Sequence, residues 1–151
     1  MKILMVCLGN ICRSPLAEGI LKKKIKKHNI NAEVASAGFV SFHAGQSADK
    51  RAEMIASQFG VDISTHKARV FKQGDFDIYD QIFVMDHENL KAVHKLSRNN
   101  ADRNKAGLIL NELFPGENQI VPDPYYGGKE GFVDVFHLLD KACDAIIQKL
   151  K

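Results

Sequence analysis

The sequence predicts an α/β fold in which a parallel sheet of short strands is sandwiched between amphipathic helices. Two observations lead there. Short strand-like runs alternate with helical stripes along the chain, in the order β-α-β-α-β-α-β-α. The first run, Ile3-Leu4-Met5-Val6, is continuously apolar, as a strand covered on both faces must be. Parallel strands joined by crossover helices follow from that order. At 151 residues, with 45% apolar and 26% charged residues, the chain fits one domain spanning residues 1–151, large enough to bury a core.

Taken in order, the apolar run at residues 3–6 gives way to Cys7-Leu8-Gly9-Asn10-Ile11-Cys12-Arg13-Ser14. Ser14 is a suitable helix N-cap and Pro15 a suitable first helical residue, whose missing N–H costs nothing there. Leu16, Ile20, Leu21 and Ile25 repeat at helical spacing, so a helix is expected from Pro15 to about His28, with Asn29 as its stop. Glu33 to Ala37 reads as a weak strand, followed by a loop over residues 38–45. Ala48, Ala52, Ile55, Ala56 and Phe59 form the next helical stripe, closed by Gly60. Gln81 to Met85 is a clear strand, and Asp86 or His87 caps a helix that turns Leu90, Val93 and Leu96 inward.

Residues 98–105 are polar and turn-rich and read as surface loop. Gly107 to Leu110 reads as the fourth strand, and Pro115-Gly116 marks a turn. From Gly131 to the end, Phe132, Val135, Phe136, Leu139, Cys143, Ile146 and Leu150 repeat at threes and fours, the strongest periodicity in the chain. Cys143 lies on that stripe and reads as an inert core residue.

The octet from Cys7 to Ser14 carries the chemistry. A loop wrapped around a helix N-terminus aims several backbone N–H groups at one point, where the helix dipole adds positive potential. Arg13 supplies a planar fork for two phosphate oxygens. The same cradle stabilises a sulfur anion, which makes Cys7 a candidate nucleophile at neutral pH. Ser14 can donate to that sulfur, and Gly9 and Asn10 suit left-handed turns. Each residue alone has an ordinary explanation, a strand cysteine, a solvated arginine or a cap. A strand-ending cysteine followed by Arg-Ser opening a helix is hard to obtain by accident.

Near the C-terminus, Val121-Pro122-Asp123-Pro124-Tyr125-Tyr126-Gly127-Gly128 forms a loop stiffened by prolines and turned by glycines. Cys-x5-Arg-Ser close to the N-terminus, together with Asp123-Pro124-Tyr125-Tyr126, resembles the low-molecular-weight protein tyrosine phosphatase family, over essentially the whole chain. The resemblance implies a three-layer fold with a four-stranded parallel sheet in the order 2-1-3-4, placing the Cys7 loop beside the topological switch where such sheets bind ligands. It implies that Leu8, Gly9, Asn10, Ile11, Cys12, Arg13 and Ser14 bind phosphate, and that Ser36 holds that loop in shape. It further implies that His66, in the segment Asp62 to Arg69, hydrogen-bonds the loop through Asn10, and that Phe42 stands beside the substrate ring.

A phenoxide leaves poorly at neutral pH, so a phosphatase needs a proton donor. Asp123 is the candidate, although an Asx-turn aspartate is the ordinary reading of Asp-Pro. A bound phosphate dianion and a neighbouring thiolate both favour its protonated form. With Cys7 ionised and Asp123 protonated, the expected pH profile is bell-shaped. Leu8, Ile11, Phe42, Tyr125 and Tyr126 would line a cleft with the sulfur at its floor, a depth suited to phosphotyrosine proteins or small aryl phosphates rather than phosphoserine. Inorganic phosphate would bind as product and sulfate as its analogue. Cys12 could pack simply or form a reversible disulfide with Cys7.

The first motif is shared with arsenate reductases of the same fold, but those need further accessible cysteines, and only Cys12 and Cys143 remain. No His/Asp/Glu set has ligand spacing, so no metal and no cofactor are expected. An odd cysteine count of three argues against a disulfide scaffold and for a reducing, cytoplasmic setting. The apolar start is too short for a signal peptide, and no segment reaches transmembrane length, so no membrane partner is expected. The net charge of +3 is modest. The lysine run from Lys22 to Lys27 lacks interleaved aromatics or arginines, so no nucleic-acid partner is expected.

Overall fold

The computed structural model describes residues 1–151. Its elements are β1 (Lys2–Val6), α1 (Arg13–Lys27), β2 (Glu33–Ala37), α2 (Lys50–Gln58), α3 (Asp75–Ile78), β3 (Gln81–Val84), α4 (His87–Leu96), α5 (Asn100–Lys105), β4 (Ala106–Leu108) and α6 (Lys129–Leu150). Short 3-10 turns occupy Ser41–His43 and Ile109–Asn111. The four strands form one parallel sheet in the order β2-β1-β3-β4, as expected.

Successive side chains of β1 point to opposite faces, and both faces are covered. Ile3, Met5 and Cys7 join a large apolar cluster built with α1, α2 and α6, whereas Leu4 and Val6 join a smaller one with Phe76, Val93 and Leu108. That is why the strand is continuously apolar. Leu16, Ile20 and Leu21 of α1 are fully buried against α6; truncating any one to alanine costs about 2–5 kcal/mol. The helix stops are those read from sequence. Asn29 (φ 54°) and Gly60 (φ 76°) take the left-handed conformation just past α1 and α2.

Four expectations need correction. The N-cap of α1 is Cys12, not Ser14, and Ser14 lies within the first turn with its hydroxyl turned toward Cys7. Of the two loop residues offered for left-handed geometry, only Asn10 adopts it (φ 57°). Residues 100–105 form α5 rather than loop, started by the Asn99 side chain accepting from the Asp102 N–H and steadied by Arg98 on Asp102. The fourth strand ends at Leu108, because Ile109–Asn111 turns away. Asp86 is the cap of α4, accepting from the Asn89 N–H.

Candidate active site

Parallel strands deliver their carboxyl ends to one edge of the sheet, and β1, with β2 and β3 on either side, ends centrally in Cys7. The chain then loops into α1. The helix N-terminus has no side-chain cap; instead the Ser14 N–H points at the Cys7 sulfur, 3.5 Å away. The sulfur thus sits where a capping oxygen would, facing the positive end of the helix dipole. The Ser14 hydroxyl lies 3.0 Å from the same sulfur. Because that hydroxyl accepts from Asn10 Nδ2 at 2.8 Å, its own proton is free for Cys7.

Behind the loop, polar side chains form a continuous brace. Asn10, fully buried, donates through Nδ2 to Ser36 Oγ at 3.0 Å and accepts the Arg69 N–H on Oδ1 at 3.0 Å. Ser36 in turn donates to Glu18. His66 Nε2 donates to the Asn10 carbonyl at 2.6 Å, while its Nδ1 stands 3.9 Å from Glu18. Ser36 and His66 are therefore both braces, and His66 acts on Asn10 as expected. The backbone is held as firmly, since the Leu8 carbonyl accepts from Phe39 at 2.7 Å and the Ile11 carbonyl from Asp49 at 2.8 Å. Gly38 permits this approach: a Cβ there would lie 2.8 Å from both the Asn10 nitrogen and the Leu8 oxygen. No buried side-chain polar atom is left without a partner, so the loop is held in one shape before any ligand arrives.

Arg13 is buried to 2% exposure. Its Nη1 donates to Asp86 Oδ2 at 2.7 Å and to the Val121 carbonyl at 2.9 Å, and its Nη2 reaches Asp123 Oδ2 at 3.5 Å. The guanidinium is thus aimed by the end of β3 and by the start of the late loop. Asp123 is more open, its side chain 36% exposed. One carboxylate oxygen accepts the Tyr125 N–H at 3.0 Å in an Asx turn, and the other faces Arg13. The ordinary turn reading and the chemical reading of Asp123 are both met, each by a different oxygen.

Cys7, Cys12, Arg13 and Asp123 open onto one cavity of about 230 Å³, walled by Leu8, Ile11, Phe42, Tyr125 and Tyr126. The five side chains expected to line a cleft thus share one cavity with Cys7. Phe42 is 73% exposed on its 3-10 turn, with its ring centroid 3.9 Å from that of His43. All three cysteines are free thiols. Burial, reinforced by the nearby Asp49 carboxylate, pushes the Cys12 thiol up, and burial does the same to Cys143. Cys143 packs inside α6 with its S–H toward the Ala17 carbonyl. No group of three or more His, Cys, Asp or Glu side chains converges in metal-ligating geometry.

Sequence reasoning passed over Glu18, Asp86 as partner of Arg13, and the pair Asp49–Arg51. Glu18 reads as a surface residue because it also pairs with Lys22 four residues on. Of the lysine run, Lys22 is held by Glu18, Lys23 by the Gly60 carbonyl and Lys24 by Asp140 and Asp144.

A parallel α/β sheet with an anion cradle at a central strand end, facing a carboxylate loop, defines a class of phosphate-handling proteins. The chain matches the family described as low molecular weight phosphotyrosine protein phosphatase over residues 2–151. It belongs to that family. A relative of that name from Schizosaccharomyces pombe is 36% identical over 138 residues, covering 89% of this chain and 87% of its own. A solved protein tyrosine phosphatase from Entamoeba histolytica, with Hepes in its active site, superposes with a TM-score of 0.92 at 38% identity, covering 99% of this chain and 96% of that one. A Drosophila arginine phosphatase also superposes at 0.92, with 33% identity and coverage of 100% and 98%. Nothing in these matches favours an arsenate reductase.

Proposed function

We propose that this chain is a cytoplasmic, single-domain protein tyrosine phosphatase that hydrolyses phosphotyrosine proteins and small aryl phosphates through a phosphocysteine intermediate. The observation that carries this reading is the Cys7 sulfur at the cavity floor. It faces the Ser14 N–H and hydroxyl, with Arg13 and Asp123 beside it.

The Cys7 thiolate attacks phosphorus in line, forming an S–P bond as the P–O bond to the phenol breaks. The phosphate-binding residues, Leu8 through Ser14, present backbone N–H groups to the equatorial oxygens, and Arg13 binds two of them. Asp123 gives its proton to the departing phenol oxygen. It then takes one from the water that attacks phosphorus, the S–P bond breaks, inorganic phosphate leaves and the thiolate is restored. Leu8, Ile11, Phe42, Tyr125 and Tyr126 would contact the ring, and a wall with two tyrosines and a phenylalanine favours an aryl ester over a short serine ester.

No helix is long and apolar enough to cross a membrane. The test compares phosphotyrosine, phosphoserine and phosphoarginine peptides, with Cys7→Ser as trap. The proposal expects preference for phosphotyrosine and turnover lowered by on the order of 10⁴-fold or more in Cys7→Ser, with phosphopeptide binding kept. Preference for phosphoarginine, or turnover surviving in Cys7→Ser, contradicts it.

A further inference from the structure

Between Pro122 and Gly127, the loop that carries Asp123 makes three hydrogen bonds to the rest of the protein, and two of them come from one side chain. Arg51, on the first turn of α2, donates through Nη2 to the Tyr125 carbonyl at 2.9 Å and through Nη1 to the Gly127 carbonyl at 3.2 Å. These carbonyls lie two and four residues beyond Asp123, on either side of Tyr126. The guanidinium carbon also stands 4.7 Å from the Phe132 ring centroid at the base of α6 and 5.6 Å from that of Tyr125, distances at which a cation is attracted to a ring face.

Arg51 is itself aimed. Its Nε and Nη2 donate to the two oxygens of Asp49 at 3.1 and 3.0 Å, a paired fork with little freedom. Asp49 is in turn fixed to the phosphate-binding loop, its N–H donating to the Ile11 carbonyl at 2.8 Å. The chain of contacts therefore runs from the phosphate cradle, through Asp49 and Arg51, to the loop that holds the carboxylate. Arg13 makes a second, weaker link to Asp123 itself, at 3.5 Å.

We infer that Arg51 is a positioning residue that sets where Asp123 stands relative to the Cys7 sulfur. It touches neither substrate nor reacting atoms. A carboxylate displaced by an ångström loses most of its value as a proton donor, but only for substrates whose leaving group needs that proton. This inference rests on Asp123 being the general acid.

The test exploits that dependence. kcat/KM is measured for phenyl phosphate, a poor leaving group, and for dinitrophenyl phosphate, a good one, in wild type, Arg51→Met, Arg51→Lys and Asp123→Ala. Arg51→Met keeps the apolar stem and removes the bonds to both carbonyls. The inference expects phenyl phosphate to lose roughly tenfold or more in Arg51→Met, with dinitrophenyl phosphate changed less than about twofold. It expects Arg51→Lys, which keeps the charge but has one ammonium for both carbonyls, to fall in between. Inhibition by inorganic phosphate, which reports the cradle alone, stays at the wild-type level. Equal losses on both substrates, or no loss on either, overturn the role assigned to Arg51. The Asp123→Ala variant separates the two questions: if it too lacks selectivity for phenyl phosphate, the general-acid reading has failed, whereas selectivity there but not in Arg51→Met rejects the positioning role alone.

Discussion

Between Cys7 and Ser14 every residue except Leu8 and Gly9 is buried, whereas between Pro122 and Gly128 only Pro124 is. The first loop is braced by five side chains, Asn10, Ser14, Ser36, Glu18 and His66, whose hydrogen bonds run unbroken from α1 to the sulfur. The second is anchored at its start by buried Val121, whose N–H donates to Met85 and whose carbonyl accepts from Arg13, and beyond that by Arg51. One half of the site is a rigid mould and the other is a strapped flap. The difference fits the chemistry. In the proposed mechanism the cradle must stabilise charge without reorganising, while the loop of Asp123 must let substrate in and a phenol out.

Substitutions should therefore fall into two kinds. Damage to the cradle lowers turnover of every ester alike, and damage to the flap discriminates by leaving group. The largest effect after loss of the nucleophile is expected for Asp123→Asn: kcat/KM for phenyl phosphate falls by about 10²–10³-fold, and that for dinitrophenyl phosphate far less. The sign in pH follows from the roles. Under the proposed mechanism Asp123 must hold a proton to give to the leaving group, so its loss of that proton would limit activity on the alkaline side. A profile measured with phenyl phosphate should lose its alkaline limb in Asp123→Asn; an unaltered limb would assign that proton to another group.

Asn10→Ala is expected to act on the cradle. It removes the bonds to Ser14 and Ser36, strands the Arg69 N–H, and places alanine at φ 57°. A loss of about 2–4 kcal/mol follows, read as a melting temperature lower by roughly 5–10 °C. Both esters should slow by the same factor, and leaving-group selectivity in this variant would erase the distinction between the two loops.

A smaller effect is expected at the wall. Phe42→Ala removes an exposed ring worth about 0.5–1.5 kcal/mol of stacking, so KM for aryl phosphates should rise by roughly two- to tenfold with kcat little changed. A fall in kcat without a change in KM would place Phe42 in another role.

The smallest expected effect concerns pH and the strap. Burial pushes the Asp49 carboxyl up, but bonds from the Arg51 side chain and from the Arg51 and Ala52 N–H groups outweigh it and hold the carboxyl below its ordinary value. A depressed carboxyl contributes fully above its unfolded value of about 3.9 and loses that contribution as pH falls through the lower folded value. The ratio of phenyl to dinitrophenyl turnover should thus show no added break from strap release between neutral pH and about pH 5. Asp49→Asn, which lacks the titrating charge, should match wild type in the position of any break.

How much of this was readable follows from where partners lie in the chain. Cys7, Arg13 and Ser14 are close neighbours on one strand-to-helix junction, so their spacing alone suggests a cradle. Asp123 was legible because two prolines and two glycines mark its loop, and Ser36 and His66 came through family resemblance. The side chains that aim these groups were not legible. Asp86 meets Arg13 across 73 residues, and Arg51 meets the Tyr125 carbonyl across 74; nothing local marks either contact. The error at Ser14 has a related cause, for a serine before proline suits an N-cap, and only the distant pull of Asn10 and Cys7 assigns its hydroxyl elsewhere. α5 was missed because it has no apolar stripe and depends on a cap and an ion pair.

The account stands or falls on the identity of the atom that receives the phosphoryl group. Acid quench within the first turnover on an aryl phosphate, followed by peptide mapping of the protein, answers that directly. The expected result is one phosphoryl adduct, located on Cys7 by fragmentation of the peptide that also holds Cys12, and none on Cys12 or Cys143. An adduct on any other side chain, or turnover with none at all, would contradict the proposed mechanism.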